Sequence, residues 1–186
     1  MLIPEGEYKN KLIGSLNSRT AGWIDGDQET LPGKKADVVN YNLKIAIEIK
    51  DDLKSNRSIP RTEQLSDSSE DCKSKNRQFK DDMKNASDKF KSYPDYKTIL
   101  LLRADVSPGL VKYCSDGLLN LDTFGNCERL SSYYMEHDYS TSEVGCVLQI
   151  TKFGYSYFEN RNPNVSGARK ISKADLESIL GIKIDN

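Results

Sequence analysis

At 186 residues the chain is long enough to bury one ordinary core without staples, and a single domain spanning 1–186 is expected. Charged residues make up 30% and apolar ones 37%, a balance that excludes fibrous and membrane-embedded classes. With 27 Lys and Arg against 28 Asp and Glu the net charge is −1, so any binding to nucleic acid must come from local patches or bound cations rather than from a global field.

The first ten residues, "MLIPEGEYKN", lack an apolar run of signal-peptide length, and no later segment approaches the ~20 apolar residues of a spanning helix. A cytoplasmic protein with no membrane partner is expected. "PEGEYKNKLIGSLNS" reads as a first helix, with Pro4 in the first turn and Tyr8, Leu12, Ile13 and Leu16 on one side. At 100° per residue Glu5 falls within that apolar stripe and Glu7 points away from it. "AGWIDGD" reads as a short strand ending in an Asp-Gly turn, and "ETLPGKK" as a loop. Two strands follow, about 36–40 and 43–50, joined at "NYN", where asparagine tolerates turn geometry.

Residues 51–76 are nearly devoid of large apolar groups and read as a polar, mobile insertion. "RQFKDDMKNASDKF" restores helical order through Phe79, Met83, Ala86 and Phe90, and the lysines of 73–97, interleaved with Asp81, Asp82, Asp88 and Asp95, read as a solvated helix face. "KTILLLRADV" is a continuous apolar run and so a buried strand, central in a sheet. A C-terminal α/β extension over 106–186 follows. It contains a short helix at "SPGLVKYCSDG", a strand at "GLLNLDTF", a hairpin over "GCVLQITKFGYSYFE", and a last helix capped by Ser172 and stopped at Gly181. Cys72, Cys114, Cys127 and Cys146 are too widely spread for a metal knuckle and read as buried free thiols. His137, the sole histidine, has no second histidine with which to build a zinc site.

Chemistry concentrates in "ADVVNYNLKIAIEIK", residues 36–50. Strand alternation places Ile45, Ile47 and Ile49 on one face and Glu48 and Lys50, ~7 Å apart, on the other. An even-numbered turn puts Asp37 on the Glu48 face, opposite either Glu48 or Ala46. Two carboxylates and an ammonium then converge, an arrangement able to hold a hard divalent cation beside a lysine that orients water. The bare pattern of acid, any residue, lysine occurs six times, from Glu7, Glu48, Asp52, Asp71, Asp82 and Asp95. Only the copy at Glu48 ends an apolar strand whose partner strand opens with another acid.

On these residues the chain resembles the PD-(D/E)xK nuclease superfamily, the fold shared by many restriction endonucleases, Holliday-junction resolvases and RecB-like exonucleases. Asp37 matches the family's acid, and Glu48, Ile49 and Lys50 match its (D/E)xK, eleven residues downstream. "EYKNKLIGSL" with a following "GW" is similar to the nuclease segment of type I restriction subunits, while Ala36 stands where many members have proline. The resemblance implies an α/β fold with a restriction-endonuclease-like core over about 4–105, a central mixed β-sheet flanked by helices in the order αβββαβ. It further implies dependence on Mg²⁺, with Mn²⁺ as a substitute, and hydrolysis of phosphodiester bonds by a DNA endonuclease, RNA remaining open. In those terms Asp37, Glu48 and the Ile49 carbonyl hold the metal and Lys50 positions the attacking water. Glu5 or Glu7 completes the shell, Gln78 matches a second-helix glutamine, and Lys34, Lys35 or Arg19 touch flanking phosphates.

A homodimer would let both strands be cut. The two acids are expected to repel phosphate until the metal arrives. Alanine at Glu48 or Lys50 is expected to abolish cleavage while sparing the fold, since neither lies on the isoleucine face. Against these expectations stand plainer ones: Glu48 and Lys50 as a surface ion pair, Glu5 as a helix-start acid favoured by the dipole, or a catalytically inactive nuclease-fold module that binds nucleic acid or protein in a larger DNA-processing complex.

Overall fold

The computed structural model describes residues 3–30, 32–51, 81–103, 141–151, 154–160 and 164–184. Expectations that fall elsewhere lie outside the described residues. These concern the insertion beyond Asp51, Gln78 and Phe79, the helix and strand between 107 and 124, His137, and Cys72, Cys114 and Cys127.

Helix α1 spans Glu5–Asn17. Pro4 precedes it as N-cap, its carbonyl accepting the Tyr8 amide at 2.9 Å. Tyr8, Leu12, Ile13 and Leu16 pack together against the sheet, as their spacing requires. The side-chain amide of Asn17 ends the helix by donating to the Trp23 carbonyl at 2.8 Å and accepting the Trp23 N–H at 3.0 Å. This two-way grip turns the chain into β1 (Trp23–Asp25), after which a 3-10 turn covers Gly26–Gln28.

Strand β2 (Val38–Asn40) and strand β3 (Ile45–Asp51) form the expected hairpin, each starting two residues later than its sequence suggests and β3 ending one later. Their connection is four residues long. Asn40 closes it by accepting the Leu43 N–H at 2.9 Å, and Lys44, rather than an asparagine, takes the left-handed conformation at φ 52°. Helix α2 (residues 81–90) precedes β4 (Lys97–Arg103), and β5 (Cys146–Thr151) and β6 (Gly154–Glu159) make a second hairpin. The described strands form one six-stranded sheet in chain order, with β3–β4 and β4–β5 parallel and the other neighbours antiparallel. The chain is therefore α/β, with a mixed open sheet flanked by helices.

Both faces of the sheet are covered, so the central strands read as unbroken apolar runs. Ile45, Ile47, Ile49, Ile99, Leu101, Cys146 and Leu148 pack with α1 and with the last helix, α3 (Lys173–Leu180). Ala46, Leu100, Leu102 and Val147 pack with Met83, Ala86 and Phe90 of α2 on the other face. Helix α3 carries the expected caps: the Ser172 side chain accepts the Asp175 N–H, and Gly181 adopts φ 62° at the C-terminus. No helix among the described residues is long and apolar enough to cross a membrane.

One glycine sets the spacing between β1 and β2. The Gly26 N–H donates to the Asp37 carbonyl at 3.0 Å, and a Cβ at Gly26 would meet the Ala36 carbonyl oxygen at 1.7 Å. Since backbone cannot swing aside as a side chain does, Gly26→Ala is expected to cost about 3 kcal/mol, the upper part of the range for overpacking. A urea midpoint within error of wild type would disprove that close approach.

Candidate carboxylate and lysine site

The hairpin register decides where the charged groups meet. Val38 pairs with Ile47, so one further step along both strands sets Asp37 across from Glu48, the first of the two arrangements expected. Asp37 is fixed there because its Oδ2 accepts the Ile49 N–H at 2.7 Å. A residue's N–H and C=O leave a strand on the same side, which turns the Ile49 carbonyl toward this edge as well. Just upstream, the Ala36 N–H donates to the Tyr93 hydroxyl at 3.3 Å, and that hydroxyl in turn donates to Glu29. Glu29 is buried and also accepts from Tyr41 at 2.6 Å, so a buried carboxylate and two tyrosines hold the lead-in to Asp37.

Glu48 is wholly inaccessible to solvent. Its Oε1 lies 2.7 Å from the Lys50 ammonium and 2.6 Å from that of Lys89, and its Oε2 accepts from Lys89 at 2.8 Å. Neither ammonium presents an aligned hydrogen bond to Oε1, which is held by charge contact alone. Lys89 also reaches Asp37 Oδ1 at 3.3 Å. Burial, and next the nearby Asp37 charge, push the Glu48 carboxyl up to about 7 despite the opposing pull of Lys50 and Lys89. At Lys50 burial acts downward, but the close contact and charge of Glu48, and after them the Asp37 charge, outweigh it and the net shift is upward.

Two expectations are corrected by this geometry. Glu48 does not lie off the core, because the face it shares with Ala46 is itself covered by α2. Nor do the two acids share a single ammonium: Lys89 joins Lys50 beside Asp37 and Glu48, so two cations match two acids and repulsion of phosphate is not dictated by these four groups.

Lys89 is the site residue that sequence reasoning missed, having been grouped with the solvated lysines of its helix. A signal existed. At 100° per residue Lys89 lies only 60° from Ala86, on the border of the apolar stripe, where a long aliphatic stem can run along buried surface and place its charge at the rim.

The remaining expected residues are not drawn into this cluster. Glu5 is exposed despite its position in the stripe, and Glu7 is exposed and paired with Lys11 at 2.7 Å. The physical reason is that α1 covers the isoleucine face, whereas Glu48 points to the opposite one. From α1 it is Lys9 that reaches inward, to Asp25 at 2.8 Å and Asp27 at 3.0 Å, and this contact holds the Asp27 carboxyl below its ordinary range. Lys34 lies 3.4 Å from Asp88, and Lys35 donates to the Glu29 carbonyl. The Arg19 guanidinium rests against Gly181 at the end of α3, on the isoleucine side of the sheet.

Among the described residues no group of three or more His, Cys, Asp or Glu gathers as a metal centre. What the hairpin offers is an all-oxygen set of Asp37, Glu48 and the Ile49 carbonyl, with a buried carboxylate oxygen lacking an aligned donor. That chemistry suits Mg²⁺ or Mn²⁺, which accept one or two carboxylates and retain water for the rest. Compared with known proteins, the chain matches no family model, no curated sequence and no solved structure.

Proposed function

We propose that the chain is a Mg²⁺-dependent nuclease with a restriction-endonuclease-like core, hydrolysing DNA phosphodiester bonds. The observation that carries this reading is the convergence of Asp37, Glu48 and Lys50 at one edge of the hairpin. A carboxylate is retained there with no solvent access and a raised pKa. The order of elements through β4, a helix, three strands, a helix and a strand, supports it as well. Asp37 and Glu48 would hold the cation with the Ile49 carbonyl. A bound divalent cation would supply neutralisation of the charge that builds on the phosphate as water attacks.

Lys50, 2.7 Å from Glu48, is anchored so that its N–H groups can orient that water, which would add to phosphorus as the bond to the leaving oxygen breaks, its proton lost to solvent and one regained from solvent by the leaving oxygen. Asp37 keeps its place through the Ile49 amide, and the Tyr93–Glu29 contact restrains the backbone just before it.

The test is cleavage in Mg²⁺ and Mn²⁺ over duplex, branched and single-stranded DNA, with RNA alongside. Asp37→Asn and Lys50→Met are expected to lower the rate on the order of 10²- to 10⁴-fold. Lys50→Met should still bind Mn²⁺, because its ammonium is not a ligand. Equal rates for wild type and both variants would refute the assignment. A second reading, an inactive nuclease-fold module that binds nucleic acid or protein in a larger DNA-processing complex, is favoured by the Lys89 ammonium lying against both carboxylates. A folded wild type that retains DNA and cleaves nothing on the panel would select it.

A further inference from the structure

Lys89 contacts the same two carboxylates that the nuclease reading assigns to the metal. Its ammonium lies 2.6 Å and 2.8 Å from the two Glu48 oxygens and 3.3 Å from Asp37 Oδ1, whereas Lys50 contacts Glu48. An ammonium this close to both carboxylates occupies the space between them. A cation ligated by Asp37 and Glu48 at ~2.1 Å would have to stand in that space, and two positive centres cannot share it. Lys89 is also built to leave. Its side chain is one quarter exposed, it comes from α2 rather than from the sheet, and its stem lies on the rim of the apolar stripe.

We propose that Lys89 is an internal counter-cation of this site, which must swing off Asp37 and Glu48 before a divalent metal is held and which thereby sets the metal affinity. The proposal rests on the metal-dependent reading above and adds how loading of that site is regulated. Without metal, the ammonium compensates the buried Glu48 charge, which would otherwise stand beside Asp37 with Lys50 as its remaining partner. With metal, the cation takes over that role and the tethered lysine moves to the rim.

The test is Mn²⁺ binding, followed by calorimetry and by the electron paramagnetic resonance of free Mn²⁺, on the full chain at a single pH. Lys89→Met is expected to bind Mn²⁺ at least about 10-fold more tightly than wild type, the scale of a removed competing contact. Lys91→Met, which removes an equal charge from the exposed pair with Asp88, should bind as wild type does. Lys89→Gln serves as a second variant in case the methionine perturbs the fold, and near-ultraviolet circular dichroism checks each protein.

Unchanged affinity in both Lys89 variants, with binding abolished in Asp37→Asn, would overturn the role of Lys89 and leave the metal reading standing. Equal tightening in Lys91→Met would reduce the effect to net charge and overturn it too. Absence of Mn²⁺ binding in wild type and in every Lys89 variant would overturn the metal reading itself.

Discussion

Glu48→Gln is expected to stabilise the fold and to abolish cleavage together. Burial and the neighbouring Asp37 raise the Glu48 carboxyl from an ordinary 4.5 to about 7, so the folded state holds this proton more tightly than the unfolded chain does. Its contribution to stability is therefore fully present below pH 4.5 and is lost as pH rises through 7. The separation of the two values corresponds to about 3 kcal/mol, with the attraction of Lys50 and Lys89 already included. Glutamine imitates the protonated carboxyl in size and charge. In EDTA at pH 8 the variant should accordingly exceed wild type by about 3 kcal/mol in urea unfolding, and the two curves should merge near pH 4.5.

In the same variant cleavage should fall on the order of 10³-fold or more, because a neutral amide is a poor replacement for a carboxylate ligand. Such opposition between stability and activity is what a retained buried charge at a working site produces. A Glu48→Gln protein less stable than wild type at pH 8 would show that the carboxylate serves the fold instead.

Arg169→Met is expected to destabilise the protein by about 3 kcal/mol, the lower end for breaking a buried ion pair. Arg169 is almost wholly buried, and its Nη2 lies 2.6 Å from Glu143. Its Nη1 donates to the carbonyls of Phe90, Tyr93 and Glu143 at 3.3, 3.4 and 3.3 Å. Two of those carbonyls belong to the end of α2 and the turn after it, where a cation meets both orphan acceptors and the negative end of the helix dipole. The C-terminal part of the chain thus anchors the helix that presents Lys89. Urea unfolding measures the loss, and hydrogen exchange should show faster opening of the α2 amides than of β3 or β4. Unchanged exchange in α2 would mean that the helix is held by its apolar face alone.

Much of this architecture was legible because it depends on local periodicity. The three- and four-residue steps of Tyr8, Leu12 and Leu16, the unbroken run in "KTILLLR", the Asn-rich hairpin and the Ser172 and Gly181 caps each specify their element within a few residues. Alternation along β3 placed Glu48 and Lys50 on one face, and the ion pair between them follows from two strand steps. Glu5 shows the limit of the same arithmetic: its angle lies within the stripe, yet it sits in the first turn, exposed.

What sequence alone determined is therefore the elements, their amphipathic faces and the chemistry of the hairpin acids, because side-chain direction along a helix or strand obeys a fixed period. Which surfaces cover those faces was settled by packing between distant parts of the chain. The four-residue turn set Asp37 across from Glu48, α2 packed over that face and buried Glu48, and Lys89 came to lie against both carboxylates. The contacts of Lys89 with Glu48 and Asp37 join groups 41 and 52 residues apart, to which no local period extends.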